Sequence, residues 1–172
     1  MLLEFWSSLS SFGGMVGGLV GIYLVMRFKH MRGADMLRFF DLLIYALPFT
    51  LAVGRLGCAL KHDHPGVSSA HWLAVQFPDG PRFDLGLLEF LYVGTIAAIF
   101  AVLGRRHRPA GFYIGLFFAL YGPVRFAMDT LRVSEVRYHG WTPGQYLSIV
   151  ATLLGIGVLA SVLQSARRQA SA

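Results

Sequence analysis

Charge is what this sequence has least of. Asp, Glu, Lys and Arg make up 14% of its 172 residues, against about a quarter in a soluble domain. Hydrophobic residues make up 55%, and the mean hydropathy is +0.57. This shortage of charge excludes an ordinary soluble domain, and the length allows one domain, so a single transmembrane domain over 1–172 is expected. Cysteine is nearly missing: Cys58 stands alone, which excludes an intrachain disulfide. There is no Gly/Ser- or Pro-rich linker, no low-complexity tract and no clear repeat. The first residues hold Glu4 and no basic stretch, so no cleaved signal peptide is expected. Negative charge is the scarcer sign, leaving a net +6. The basic residues sit at the ends of apolar runs and form no recognition motif, which argues against nucleic acid as a partner.

What is there is apolar sequence in long runs. A spanning helix needs about 20 mostly apolar residues. Segments near 12–28, 39–60, 84–104, 111–131 and 143–165 meet that need, so the expected fold is all-α: a polytopic membrane bundle of about five helices. The first segment is short and glycine-rich, with Gly14 and Gly18 at a spacing that favours close helix packing. Arg27, Lys29, Arg32, Arg38, Arg105, Arg106, Arg108, Arg167 and Arg168 fall on one side of such a bundle. Lys61, Arg82, Arg132 and Arg137 fall on the other, with Arg55 and Arg125 set aside as intramembrane. The excess of positive charge places the N-terminus outside and the C-terminus in the cytoplasm. The stretches 61–83 and 132–142 then face outward, and Trp72 and Trp141 in them suit a membrane interface.

Ionisable residues inside the apolar segments are expensive there and point to function. They are Asp41, Arg55, Glu89, Arg125 and Asp129. Arg125 and Asp129 are four apart and share a helix face, which Arg132 continues outward. If the helices pack together, two arginines and two carboxylates converge on a cavity opening toward the outer half of the bilayer. A guanidinium stays charged and grips phosphate through two parallel N–H bonds. The phosphate available at that depth is a phospholipid headgroup, and positive groups also stabilise a departing anion. The plainer reading makes Arg125–Asp129 a structural ion pair that fixes helix register. His62 and His64, with His71 nearby, do not match a known metal-ligand spacing, and we expect a polar loop beside the cavity, with no metal and no cofactor. Cys58 is read as a small packing residue, since no histidine at helical spacing activates it.

Three stretches in order carry a resemblance. Gly54-Arg55-Leu56-Gly57-Cys58, with Asp41 fourteen residues before the arginine and Pro48 between, is the first. Tyr121-Gly122-Pro123-Val124-Arg125-Phe126, followed by Asp129 and Arg132, is the second. The third is Gly144-Gln145-Tyr146-Leu147-Ser148-Ile149. Together they resemble the prolipoprotein diacylglyceryl transferase family over residues 11–165 or so. The resemblance implies transfer of a diacylglyceryl group from phosphatidylglycerol to the lipobox cysteine of a lipoprotein precursor, in the bacterial cytoplasmic membrane. It implies that Arg55 binds the phospholipid phosphate, helped by Gly13, Gly14, Gly54, Gly57, Tyr121 and Arg132. It gives Arg125 the second, catalytic arginine role, with Glu89 and Asp129 as the carboxylates.

The sequence also departs from the family pattern. Phe12-Gly13-Gly14 replaces a His-Gly-Gly whose histidine matters to the family, and Gly86-Leu87-Leu88 replaces Gln-Leu-Tyr before the glutamate. Lys61-His62-Asp63-His64 replaces an Asn-Gly region, and His62, or His64, is expected to stand in for the lost base. Two N-terminal helices and a larger outward region of the family are missing from this sequence. The alternative expectation is a non-catalytic lipid-binding or scaffold subunit with a membrane-complex partner.

Overall fold

The structure is a computed structural model that describes residues 17–18, 20–133 and 137–171. The chain divides into two compact units, Met1–Phe39 and Phe40–Ala172. In the first, residues 20–28 are helical, and left-handed backbone follows at His30 and Gly33. Only part of the expected first span is therefore described, and Phe12, Gly13 and Gly14 lie outside the described residues. The elements that follow are α1 (Ala34–Lys61), β1 (Pro65–Ser68), β2 (Ala74–Phe77), β3 (Gly80–Asp84), α2 (Leu85–Leu103), α3 (Phe112–Thr130) and α4 (Pro143–Ala170).

Three of the helices, α2, α3 and α4, begin where a side chain accepts from a free N–H of the first turn. Asp84 caps α2, its Oδ1 accepting the Leu87 N–H at 3.1 Å. Thr142 and Gln145 cap α4 reciprocally, with Pro143 in the first turn, where its missing N–H costs nothing. Gly111 offers α3 no side chain, and the cap comes from α1 instead: buried Asp41 accepts the Ile114 N–H at 2.9 Å. Asp41 thus serves the opposite end of α3 from Asp129, fifteen residues further on, and lies apart from the other intramembrane charges.

Among the described residues, α1, α2 and α4 are long and apolar enough to cross a membrane, with mean hydropathies of 1.7, 2.1 and 2.2. The apolar helices of the expected bundle are there. α3 occupies the fourth expected segment, although Arg125, Asp129 and its tyrosine, glycine and proline residues dilute its hydropathy. Outward faces of α1 and α4 leave Leu42, Val53 and Leu60, and Leu147, Leu153 and Leu154, exposed. Apolar surface of that extent suits lipid as its solvent.

The core of the larger unit is a cluster of Ile96 with the aromatic residues Phe100, Phe112, Tyr113 and Phe117, with Tyr45 of α1 packed against it. In lipid such a cluster gains from close packing rather than from leaving water, so small residues at crossings matter. α3 and α4 approach closely because Gly115 and Gly155 lack a side chain. A Cβ added to them would lie 2.7 Å from the Leu159 nitrogen and 2.6 Å from the Ala119 nitrogen.

Residues 61–83, expected as a polar loop, contain a small antiparallel sheet in the order β1-β3-β2. Its hairpin turns at Phe77-Pro78-Asp79-Gly80, where proline sets φ and Gly80 takes φ 117°. Arg82 closes the turn by donating to Asp79 at 2.6 Å, which holds the Asp79 carboxyl below its usual range. The sheet is fastened by Val67 N–H to the Leu131 carbonyl (2.9 Å) and by Leu85 N–H to the His64 carbonyl (3.0 Å). It therefore lies at the end where α1 stops, α2 starts and α3 stops.

Candidate functional site

Arg55 of α1 and Arg125 of α3 come together on one carboxylate of α2. Glu89 of α2 is buried, 3% exposed. Its Oε2 lies 3.2 Å from Arg55 Nε and 3.6 Å from Arg125 Nη1, while Tyr121 donates its hydroxyl to Oε1 at 2.7 Å. A buried carboxylate needs such partners, because leaving it ionised and alone costs several kcal/mol, on the order of the desolvation penalty. Arg55 and Arg125 thus reach the same oxygen from different helices, close enough to hold one headgroup. Their side chains remain 25% and 23% exposed beside a carboxylate that is buried, so the arginines are the more accessible members of the cluster. Each carries five N–H donors, and the shared oxygen occupies few of them.

A second carboxylate extends the row. Asp129, fully buried, lies 3.3 Å from Arg125 Nη2 and 3.3 Å from Arg132 Nε through Oδ1. Its Oδ2 accepts the Thr142 hydroxyl at 3.0 Å, and the same hydroxyl accepts the Gln145 N–H at 3.1 Å. The cap of α4 and the charges of α3 are therefore one network. Gly144 makes it fit, since a Cβ there would collide with Asp129 Oδ2.

Of the residues singled out from the sequence, Arg55, Glu89, Tyr121, Arg125, Asp129 and Arg132 form this connected row. Gly54 and Gly57 flank Arg55 on α1, where an added Cβ would meet nothing within 4 Å, so close helix packing is not what they provide. Cys58 packs on α2: a Cβ at Gly86 would lie 3.1 Å from the Cys58 Cβ, so Gly86 lets the two helices approach there. His62 lies beyond the end of α1, bonded through Nδ1 to Asp84 Oδ2 at 2.5 Å. Cys58, Asp63 and His64 each present one donor atom within 4.8 Å of the others, and two of the three are exposed. Such a set can take a metal ion, but its loose spacing lacks the tight tetrahedron of a built site.

Three participants were missed in the sequence reading. Thr142 carried a signal, because Thr142-Pro143-Gly144-Gln145 is a helix-start pattern. Gln145 stood inside a family-like stretch without a role of its own. Asp84 signalled only a helix cap; its second oxygen meeting His62 depends on how residues 62–84 fold back.

Residues 2–161 match the family model described as prolipoprotein diacylglyceryl transferase. A phosphatidylglycerol–prolipoprotein diacylglyceryl transferase of Francisella tularensis subsp. holarctica is 31% identical over 95% of this chain and 63% of its own length. One from Pseudomonas paraeruginosa is 32% identical over 92% of this chain and 62% of its own, and one from Pseudomonas aeruginosa shows the same figures. The chain therefore spans less than two thirds of the length of these curated relatives. With nearly the whole of the chain inside the family match, it belongs to the prolipoprotein diacylglyceryl transferase family.

Proposed function

We propose that this protein transfers a diacylglyceryl group from phosphatidylglycerol to the lipobox cysteine of lipoprotein precursors. The observation that carries the reading is the placement of Arg55 and Arg125 on one Glu89 oxygen, both arginine side chains being partly exposed beside a buried carboxylate. Two planar cations that close suit one phosphodiester better than two separate anions. In the proposed reaction they hold the headgroup of phosphatidylglycerol and take up charge as glycerol phosphate departs, where fixed donors act most strongly in a water-poor site. Tyr121 and Glu89 keep the arginines in place, and Asp129, with Arg132, sets the angle of Arg125. The exposed apolar faces of α1 and α4 suit the diacyl chains and the surrounding lipid.

The proposed setting is the bacterial cytoplasmic membrane, N-terminus out and C-terminus in, with the charged row toward the outer leaflet. The distribution of basic residues supports that orientation. The test is transfer of labelled diacylglycerol from phosphatidylglycerol to a lipobox peptide in membranes containing the protein. Transfer is expected, with Arg55→Ala and Arg125→Ala each lowering it at least a hundredfold, the order set by losing one oxyanion-stabilising donor. Phosphatidylglycerol binding without transfer would instead favour a non-catalytic lipid-binding subunit, the reading suggested by Phe12 at the family's histidine position.

A further inference from the structure

Outside the arginine row, the described residues include another pair of titratable groups bonded to each other across the fold, His62 and Asp84. His62 stands just past the end of α1 with φ 50°, a left-handed conformation in which its N–H reaches back to the Cys58 carbonyl at 3.0 Å. That is the helix-ending position where glycine or asparagine is usual, and histidine is among the few other residues that adopt it. The imidazole meets Asp84 through Nδ1, and the Phe77 ring stands edge-on to it at 6.1 Å between centroids. Asp84 is fully buried and its two oxygens are divided: Oδ1 caps α2, and Oδ2 takes His62. The cap needs only the first. An ionised carboxylate can only accept, so the hydrogen of the neutral imidazole sits on Nδ1 and Nε2 is left as an acceptor.

The pair also stands at a suitable remove from the arginines. From Arg55 to Lys61, the last residue of α1, the helix rises about 9 Å, and His62 follows directly. Asp84 precedes Glu89 by five residues on α2. A phosphate held by Arg55, one ester linkage and an attacking sulfur laid end to end span a distance of that order. Both groups lie toward the end of the bundle at which the sheet is fastened.

Resting on the function proposed above, we propose that His62, oriented by Asp84, is the base that activates the acceptor thiol. Nε2 takes the proton of the cysteine S–H. The thiolate attacks the glyceryl carbon next to the phosphate ester; the S–C bond forms as the C–O bond breaks. The electron pair of that bond leaves on the phosphate oxygen, which Arg55 and Arg125 receive. The imidazolium then gives its proton to the released glycerol phosphate, and the neutral base is restored. In this scheme Asp84 is a positioning residue: it fixes the tautomer and faces the charge that forms on the ring, the arrangement by which a carboxylate supports a histidine base in acyl transfer.

The test uses substitutions chosen to spare the fold. His62→Gly suits φ 50° and leaves space where the ring stood. Asp84→Asn still accepts the Leu87 N–H, but turns a donor toward Nδ1 and so moves the imidazole hydrogen to Nε2. In the labelled transfer assay, His62→Gly is expected to lower kcat about a hundredfold or more, the usual contribution of a general base. The KM for phosphatidylglycerol should stay within about twofold, since the arginines are intact, and added imidazole should restore part of the rate. Asp84→Asn should lower kcat with KM unchanged, and imidazole should not restore it. An active wild type with equal activity in His62→Gly would overturn this inference and leave the proposed function standing. So would a loss that imidazole does not relieve or that appears in KM alone. An inactive wild type would overturn the proposed function and this inference with it.

Discussion

Glu89 sits where two arginines and a tyrosine meet, and its burial makes it dependent on all of them. Its removal should therefore be felt twice. With Glu89→Gln, Arg55 and Arg125 face each other with no anion between them, and breaking a buried ion pair costs about 3–5 kcal/mol. A large fall in thermal stability is expected in neutral detergent. If the arginines hold phosphate, an anionic lipid should supply the missing charge. Phosphatidylglycerol should then raise the melting temperature of the Glu89→Gln protein more than that of wild type, by differential scanning fluorimetry with a zwitterionic lipid as control. Equal stabilisation of both would assign the arginines a structural part only. Tyr121 was singled out in the sequence by the family resemblance, and in the structure its hydroxyl donates to Glu89.

At the scale of elements, the end of α3 and the start of α4 act as one piece because Asp129 bonds the cap of the next helix. Gly144 is the tight point. Gly144→Ala would push its methyl into Asp129 Oδ2, with an overpacking cost of about 1–3 kcal/mol. The expected outcome is a lower melting temperature together with a rate loss larger than the stability loss explains, since Asp129 also aims Arg125. A stability loss with unchanged transfer would detach this network from the site. The helices themselves were readable, because apolar runs of spanning length leave few alternatives. So was the convergence of Arg55, Glu89, Arg125 and Asp129, because charges in lipid must find one another. The sheet over 65–84 was harder to read. Its strands are four or five residues long and alternate poorly, although Phe77-Pro78-Asp79-Gly80 was a hairpin signal. Asp41 misled for another reason: an intramembrane carboxylate looks functional until a helix start with no cap of its own is found beside it.

At the scale of the whole molecule, the larger unit gathers its arginine–carboxylate ion pairs toward one end of its helices and leaves much of its flanks apolar. Arg55, Glu89, Arg125 and Asp129 lie toward the end where α1 stops, α2 starts, α3 stops and α4 starts, and the small sheet is fastened there. A lipid arriving from the bilayer would keep its chains against α1 or α4 and place its headgroup at the arginines. A precursor peptide would come from the side of the sheet, where His62 stands half exposed on a buried carboxylate. The central claim is that Arg55 and Arg125 together hold one phospholipid phosphate. The most direct measurement is an experimental structure of the protein in phosphatidylglycerol nanodiscs. The expected result is headgroup density with its phosphate within hydrogen-bond distance, about 3 Å, of both guanidinium groups. Density elsewhere, or arginine side chains turned away from each other with only Glu89 and Asp129 as partners, would contradict it.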